Sequence, residues 1–165
     1  MNAPVIAKVH GAAAGAGLSL MLQADFVIAA EGTRFNLAYI NLGTSCDVGA
    51  SWALPRLVGL RHALEIALLG DTLTTTDALR LGLVNRVVPA EQLDEATATV
   101  AHRLAHGPTL AYGAMKRLMR ASFDRDLDTQ LIAETAAFAG CAATQDMRAG
   151  IEAFFAKQPA RFEGR

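Results

Sequence analysis

Cysteine is scarce in this chain and positive charge is not in excess, and each of these shortages excludes a class of protein. The two cysteines of the 165 residues, Cys46 and Cys141, are isolated from each other and from any histidine cluster. Neither a disulfide framework nor a zinc site is therefore predicted. Fifteen Lys and Arg against sixteen Asp and Glu give a net charge of -1, whereas a dedicated nucleic-acid binder usually carries a basic excess.

Long apolar runs are also missing. The longest apolar stretch without a charge, residues 9–24, is too short and too glycine-rich to span a bilayer. No basic segment precedes an apolar one at the start of the sequence, so a secretory signal is not expected. We therefore expect a cytoplasmic protein with neither a membrane nor a nucleic acid as its partner.

The sequence does have enough apolar residues for a core, at 52% hydrophobic residues and a mean hydropathy of +0.26. Its first half alternates between strand and helix patterns, whereas everything from Ala90 onward has helical periodicity. The first half is predicted to form strands over 4–9, 25–30 and 83–88, and helices over 18–22, 48–55, 60–69 and 75–81, with 31–50 largely irregular. Pro55 is expected to end or kink its helix. The second half is predicted to form helices over 90–106, 108–122, 126–142 and 145–157.

The glycine-rich turn at Gly11, Gly15 and Gly17 is the first candidate site. Small residues let a ligand approach the backbone, and a helix that starts there presents N–H groups able to hold a phosphate or an oxyanion. A dinucleotide-binding fingerprint would need a third glycine at position 20, which is Leu20. The alternative is a tight crossing of strand and helix where only small residues fit.

Asp47 is the second candidate, because it lies in an irregular loop between two glycines. A carboxylate in an apolar pocket, to which Leu42, Val48 and Trp52 could contribute, can accept and release protons during catalysis. The alternative is structural, since Asp is a preferred N-cap and a helix is predicted to begin at Val48.

The histidines do not suggest a metal site. His102 and His106 are four residues apart on a predicted helix, but no glutamate follows His102 as it does in the H-E-x-x-H motif. A solvated helix face explains them better, and no metal is predicted.

Several motifs now occur in an order typical of one family. The chain contains P-V-I-A-K-V-H-G-A-A-A-G-A-G-L-S-L at 4–20, A-D-F-V-I-A-A at 24–30, L-P-R-L-V-G at 54–59, T-T-T-D-A-L-R-L-G-L-V-N-R-V-V-P at 74–89 and A-F-F-A-K at 153–157. Along essentially its whole length the sequence resembles the enoyl-CoA hydratase/isomerase (crotonase) family.

The resemblance implies an α/β fold of the ClpP/crotonase type, a spiral of ββα units. Residues 1–89 would be a partial spiral core that lacks the N-terminal part of the family fold. Residues 90–165 would be the helical region through which such proteins form trimers, and a homotrimer or hexamer is expected. Coenzyme A would enter as part of an acyl-CoA substrate, and no separate cofactor is expected.

The resemblance also implies roles for individual residues. The family binds a thioester enolate with two backbone N–H groups; one maps onto Ala16, between Gly15 and Gly17, and the other comes from a loop upstream of this chain. The two glutamates of hydratases fall on Ser19 and Tyr39, and neither side chain is a carboxylate base.

Three further positions follow from the same resemblance. The loop around Asp47 resembles that of dienoyl-CoA isomerases, where the aspartate transfers a proton; a dehalogenase branch uses such an aspartate as a nucleophile, in a loop that is shorter. Phe154 and Lys157 match the C-terminal A-F-x-x-K, so Lys157 is expected to meet the phosphate or adenine end of coenzyme A. The alternative for Lys157 is a lysine that stabilises the helix dipole.

Two functions therefore stay open. The first is an acyl-CoA enzyme that works through Ala16 and Asp47. The second is a truncated, degenerate member of the family that binds an acyl-CoA or a partner subunit without catalysis. A dinucleotide binder is nearly excluded by Leu20.

Overall fold

A computed structural model describes residues 2–165 of the chain, which form two compact units. One unit comprises Val5–Thr99, and the other comprises Val100–Arg165 together with residues 2–4. The boundary lies inside a helix, ten residues beyond the change of sequence pattern at Ala90.

The first unit is built on short parallel strands. Its elements, in chain order, are β1 (Ile6–Val9), β2 (Ala12–Ala14), α1 (Ala16–Met21), β3 (Phe26–Ala30), β4 (Arg34–Asn36), α2 (Ala50–Leu69), α3 (Thr75–Arg80) and β5 (Arg86–Val88). Strands β1, β3 and β5 form a parallel sheet in the order β1-β3-β5, and β2 pairs with β4 in a separate parallel ribbon. The predicted alternation of strands and helices is confirmed, and the α/β class with it.

The core of this unit lies among these strands and helices α1, α2 and α3. Phe35, Leu18 and Ile28 are among its fully buried side chains. Phe35 is fixed on both sides, because β4 pairs with β2 and the Phe35 and Leu73 backbones exchange two hydrogen bonds of 3.0 and 2.8 Å. The glycine-rich turn follows β2 and a loop follows Asn36 at the end of β4, so both segments start from the β2–β4 ribbon.

Two predictions about the first unit are wrong in detail. Residues 12–14 and 34–36 form the β2–β4 ribbon, where a turn and an irregular segment were expected. Helix α2 continues through Pro55 and is broken at Gly59, whose φ of 78° and ψ of 158° are not helical. The hydrogen bond that Pro55 removes would go to the carbonyl of Ser51, an exposed residue in the first turn of α2.

The other helices follow the predicted pattern closely. They are α4 (Leu93–Ala105), α5 (Thr109–Ala121), α6 (Leu127–Ala142) and α7 (Gln145–Ala156). The side chains of Asp126 and Thr144 cap α6 and α7 by accepting N–H groups three residues on. The N–H of Thr129 thereby holds the pKa of Asp126 below its ordinary value. Helix α5 packs against α6, and α6 packs against α7.

Within residues 2–165, no helix combines the length and the apolar character needed to cross a bilayer. The same residues contain no group of three or more His, Cys, Asp or Glu side chains arranged to hold a metal ion.

Candidate functional site

The glycine-rich turn leads from β2 into the short helix α1. Gly15 is the N-cap of α1, and its φ of 52° lies in the region that favours glycine. Its N–H donates to the carbonyl of Asn36 at 3.0 Å, which ties the turn to the end of β4. Ala16 follows as the first residue of α1 and is exposed, and no atom of residues 2–165 accepts a hydrogen bond from its N–H. That N–H is therefore available to a ligand oxygen.

Ser19 lies one helical turn after Gly15 and is fully buried. Its backbone N–H donates to the carbonyl oxygen of Gly15 at 3.0 Å, and its hydroxyl also reaches that oxygen, at 3.2 Å. The Ser19 hydroxyl lies 3.2 Å from the hydroxyl of Tyr39 as well. A buried hydroxyl needs partners, and here the partners are the turn and Tyr39.

Tyr39 opens a 3-10 turn, Tyr39–Leu42, that follows β4. The end of β4 and this turn are both held to the end of α2, because the side-chain amides of Asn36 and Asn41 donate to the carbonyl of Gly70, at 2.9 and 3.2 Å. Tyr39 is half-buried, and its hydroxyl donates to the Oδ1 atom of Asp47. The two positions that the family resemblance matches to the glutamates of hydratases thus hold two hydroxyl groups, 3.2 Å apart.

Asp47 is not the cap of α2, so the capping alternative is wrong. Gly49 is the N-cap of α2, and the carboxylate of Asp47 is bonded to Tyr39 instead. The local sequence favours a cap because Asp is common there, but two residues in left-handed conformations, Val48 at φ 51° and Gly49 at φ 75°, separate Asp47 from the helix. The side chain consequently faces the Tyr39 turn.

The loop around Asp47 is strained, and it does not enclose the carboxylate. Val48 is β-branched, and a positive φ costs such a residue about 1–3 kcal/mol. The amide of Gln23 donates to the carbonyls of Val48 and Gly49, at 3.4 and 3.5 Å, and helps to hold this conformation. The expected apolar pocket is not formed, because Asp47 is exposed and Leu42, Val48 and Trp52 are 81%, 47% and 43% exposed.

The remaining predicted residues occupy other places. Gly17 and His10 border an open groove of about 610 Å³ beside β1 and α1. Phe154 and Lys157 belong to the unit that contains Val100–Arg165, called the helical unit below; Phe154 is 78% exposed, and Lys157 ends α7 in a left-handed conformation. Phe154 also lines an apolar cavity of about 550 Å³ in that unit, with Met147, Ile151 and Phe162 among its other walls.

Gly15, Ser19, Tyr39 and Asp47 therefore form one continuous set of contacts. Sequence reasoning proposed each of these residues separately and missed both the contact between Tyr39 and Asp47 and the part played by the Gly15 carbonyl. Eight residues separate Tyr39 from Asp47, and no helical or strand periodicity links them, so only the turn geometry reveals the pair.

Comparisons with known proteins bear on the family and the fold of the chain. The family model described as enoyl-CoA hydratase/isomerase matches residues 1–165. The chain is 38% identical over 162 residues to a probable enoyl-CoA hydratase of Rhodobacter capsulatus, covering 98% of this chain and 63% of that protein. It is also 38% identical over 162 residues to the 1,2-epoxyphenylacetyl-CoA isomerase of Escherichia coli, covering 98% of this chain and 62% of that protein.

The fold has close counterparts among solved structures. The crystal structure of a putative enoyl-CoA hydratase/isomerase from Mycobacterium abscessus superimposes with a TM-score of 0.96 at 38% identity, covering 99% of this chain and 63% of that one. The predicted crotonase-type fold with a helical C-terminal region is thereby confirmed. The chain spans a little under two thirds of the length of these relatives.

Proposed function

Because the chain belongs to the enoyl-CoA hydratase/isomerase family, we propose that it provides the proton-transfer side of the active site of an acyl-CoA enzyme. Asp47 moves a proton along the acyl chain, and the Ala16 N–H binds the thioester oxygen while that oxygen carries negative charge. The observation that carries this proposal is the position of the Asp47 carboxylate, which contacts Tyr39 rather than capping α2.

The proposed reaction begins with the ionised carboxylate of Asp47. It removes a proton from a carbon of the acyl chain; the electron pair of that C–H bond moves towards the thioester carbonyl, whose oxygen becomes an enolate. The N–H of Ala16 donates to this oxygen, and a preorganised donor of this kind is worth about two to three orders of magnitude in rate. Asp47 then returns the proton at a different carbon of the chain.

Isomerisation is the version of this chemistry that the residues favour. Addition of water needs groups that position and deprotonate the water molecule, and a neutral hydroxyl is a poor base near pH 7. Ser19 and Tyr39 offer two such hydroxyls, whereas Asp47 offers one carboxylate that can both accept and return a proton. The strained Val48 next to Asp47 supports a functional role for the loop, because strain of this kind is concentrated at functional sites.

The substitution Asp47→Asn tests the proposal. Asparagine keeps the shape of the side chain and an oxygen that accepts the Tyr39 hydroxyl, but it cannot carry a proton. We expect turnover of a dienoyl-CoA, followed by absorbance, to fall by about two to four orders of magnitude. The melting temperature should barely change. Asp71→Asn removes an exposed carboxylate of the same unit and is the matched control.

Unchanged turnover in Asp47→Asn would refute the catalytic role. The second function, binding of an acyl-CoA without catalysis, would then be favoured. Its support is that positions 19 and 39 carry hydroxyls rather than carboxylates. Absence of turnover with both crotonoyl-CoA and a dienoyl-CoA, combined with measurable binding of both, would support that function.

Lys157 is proposed to contact the phosphate or adenine end of coenzyme A. It is exposed at the end of α7, and Lys is one of the cations that bind phosphate. Lys157→Glu should weaken coenzyme A binding, measured by calorimetry, by about tenfold at low ionic strength and by less at high salt. Equal affinity of the variant and the wild type would refute the contact with coenzyme A and favour the alternative, a lysine that stabilises the helix dipole.

A further inference from the structure

Ser19 and Tyr39 connect the carboxylate of Asp47 to the peptide group that contains the Ala16 N–H. We propose that Ser19 and Tyr39 are positioning residues that couple the protonation of Asp47 to the donor strength of the Ala16 N–H. The Ala16 N–H becomes a stronger donor when Asp47 holds a proton. This inference rests on the proposed function, in which Asp47 takes the substrate proton and Ala16 binds the enolate oxygen. The coupling would strengthen oxyanion binding at the moment the oxyanion forms.

The connection is a series of hydrogen bonds contributed by three separate segments. The Tyr39 hydroxyl, from the 3-10 turn, contacts Asp47 Oδ1 in the following loop. The same hydroxyl lies 3.2 Å from Ser19 Oγ in α1, and Ser19 Oγ lies 3.2 Å from the carbonyl oxygen of Gly15. Ser19 is 0% exposed, so water does not compete for its hydroxyl.

Counting protons fixes the direction of these bonds when Asp47 is ionised. Each hydroxyl has one proton to donate, and a carboxylate can only accept. The Tyr39 proton is therefore held by the Asp47 carboxylate, because a charged acceptor forms the stronger bond. The Ser19 proton is then shared between two acceptors, the oxygen of Tyr39 and the carbonyl of Gly15.

Protonation of Asp47 changes which acceptors the Tyr39 and Ser19 hydroxyls donate to. A neutral carboxyl group is a weaker acceptor than a carboxylate, so the Tyr39 proton can turn from Asp47 Oδ1 to Ser19 Oγ. The Ser19 proton then has only the Gly15 carbonyl as its acceptor. Tyr39 and Ser19 each donate one hydrogen bond in both states, but in the second state the Ser19 hydroxyl donates to the Gly15 carbonyl alone.

The carbonyl of Gly15 and the N–H of Ala16 belong to the same peptide unit. A hydrogen bond to the carbonyl polarises the peptide and strengthens the N–H as a donor, by an amount estimated at roughly 10–30% per bond. The Gly15 carbonyl already accepts the Ser19 N–H at 3.0 Å, and the Ser19 hydroxyl adds a second bond. The effect needs no movement of the backbone.

The proton count of the reaction is unchanged by this coupling. The C–H bond of the substrate breaks, an O–H bond forms on Asp47, and the electron pair passes to the thioester oxygen. Tyr39 and Ser19 each keep one proton and change only the direction in which they donate. They act through Asp47 and Gly15.

Two titratable residues adjoin Asp47, one by contact and one in the chain. Tyr39 contacts it, and Cys46 precedes it in the chain. Within residues 2–165, Asp47 forms no ion pair, and the Gln23 amide that holds its loop carries no charge. A pH-dependent change at Ala16 that follows Asp47 can therefore be assigned to the hydroxyl series by removing one hydroxyl at a time.

Nuclear magnetic resonance of the labelled full chain tests the coupling without any substrate. We expect the Ala16 amide resonance to titrate with the same midpoint as the Asp47 carboxyl carbon. In Tyr39→Phe and in Ser19→Ala the carboxyl should still titrate, while the Ala16 response falls to less than about a third. Tyr112→Phe removes a tyrosine hydroxyl in the helical unit and should leave the response intact. Tyr39→Phe, at a half-buried position, suffices if Ser19→Ala fails to fold.

Turnover gives a second measurement. Tyr39→Phe and Ser19→Ala should lower kcat by about twofold to tenfold and leave KM nearly unchanged, because the effect is confined to the charged transition state. An Ala16 amide that does not titrate in the wild type, or that titrates equally in Tyr39→Phe, overturns the coupling while the role of Asp47 stands. Unchanged turnover in Asp47→Asn overturns instead the proposed function on which the coupling rests.

Discussion

The buried carboxylate of Asp146 accepts a hydrogen bond from the backbone N–H of Glu163, with an Oδ1–N distance of 2.8 Å. Its other oxygen accepts the N–H of Gly164 at 3.0 Å, and its own N–H donates to the carbonyl of Arg165 at 2.9 Å. One residue in the first turn of α7 thus fixes the last residues of the chain. These bonds also bring Phe162 against Gly150 and into the apolar cavity of the helical unit.

Asp146→Ala should release this tail. The change leaves two N–H groups without their acceptor, and we expect the free energy of unfolding in urea to fall by about 1–3 kcal/mol. Hydrogen exchange at the Glu163 and Gly164 amides should become faster. Asp128→Ala removes an exposed acid from the first turn of α6 and should cost at most about 0.5 kcal/mol. Unchanged exchange at both amides in Asp146→Ala would show that the tail is held by other contacts.

The break in α2 leads to a second prediction. Gly59 has a φ of 78° and a ψ of 158°, and a Cβ atom there would meet nothing within 4 Å. Gly59→Ala should therefore destabilise the protein through the backbone alone, by about 1–3 kcal/mol in chemical denaturation.

The matched control for this change is Gly140→Ala. Gly140 also has open space for a Cβ atom, but it lies inside α6 and has no positive φ. Alanine should therefore stabilise α6, by about 0.5–1 kcal/mol. Effects of the same sign in the two variants would contradict the assignment of strain to Gly59.

Pro55 and Gly59 show how far the sequence predicts the fold. The sequence predicts a break in α2, since a proline interrupts the pattern, but it places the break at Pro55. The break lies instead at Gly59, which adopts a positive φ open to glycine, whereas the carbonyl left by Pro55 belongs to the exposed Ser51. The sequence predicts the long periodic segments well, since α4 to α7 each begin and end within about three residues of their predicted bounds.

The candidate site was predictable only in part. Ala16 and Asp47 follow from local residue types and from the family resemblance, since small residues and a loop acid are visible in the sequence. The Tyr39–Asp47 contact was not predictable, because it depends on the β2–β4 ribbon, which has only three residues per strand and was missed. Strands this short have no alternation that a sequence can display.

The capping box of α3 leads to a pH-dependent prediction. The hydroxyl and the backbone N–H of Thr74 both donate to the Asp77 carboxylate, and with Arg80 nearby they hold the pKa of Asp77 below its ordinary 3.8. A group with a lowered pKa in the folded state stabilises the fold above its unfolded value, and this contribution is lost as the pH falls through the folded value. Wild type should be more stable than Asp77→Ala at pH 7, and the difference should shrink below about pH 4.

Urea denaturation of the two proteins from pH 7 to pH 2.5 measures this difference. Asp71→Ala removes an exposed acid six residues earlier, which makes no hydrogen bond in the described part of the chain, and should differ little from wild type throughout. A difference between wild type and Asp77→Ala that stays constant down to pH 2.5 would mean that the Asp77 charge does not contribute to the box.

The apolar side chains of the helical unit lead to the last prediction, which is self-association. Several large ones are strongly exposed in the chain by itself: Leu127, Leu131, Ile132, Phe138, Phe154 and Phe155. Exposed apolar surface of this extent is typical of a subunit interface, and we propose a homotrimer or a dimer of trimers. Light scattering at micromolar concentration should show an oligomer.

Ile132→Glu tests whether α6 contributes to that interface. Ile132 is 72% exposed, so the substitution should leave the isolated chain folded. If the side chain is buried by association, introducing a charge should weaken assembly by about tenfold or more, because burial of an isoleucine contributes about 1.5–3 kcal/mol and a buried charge adds a further cost.

Thr99→Glu adds the same charge at an exposed polar position of α4 and should assemble like the wild type. A wild-type monomer at all concentrations would contradict the proposal, and equal assembly of the two variants would exclude Ile132 from the interface.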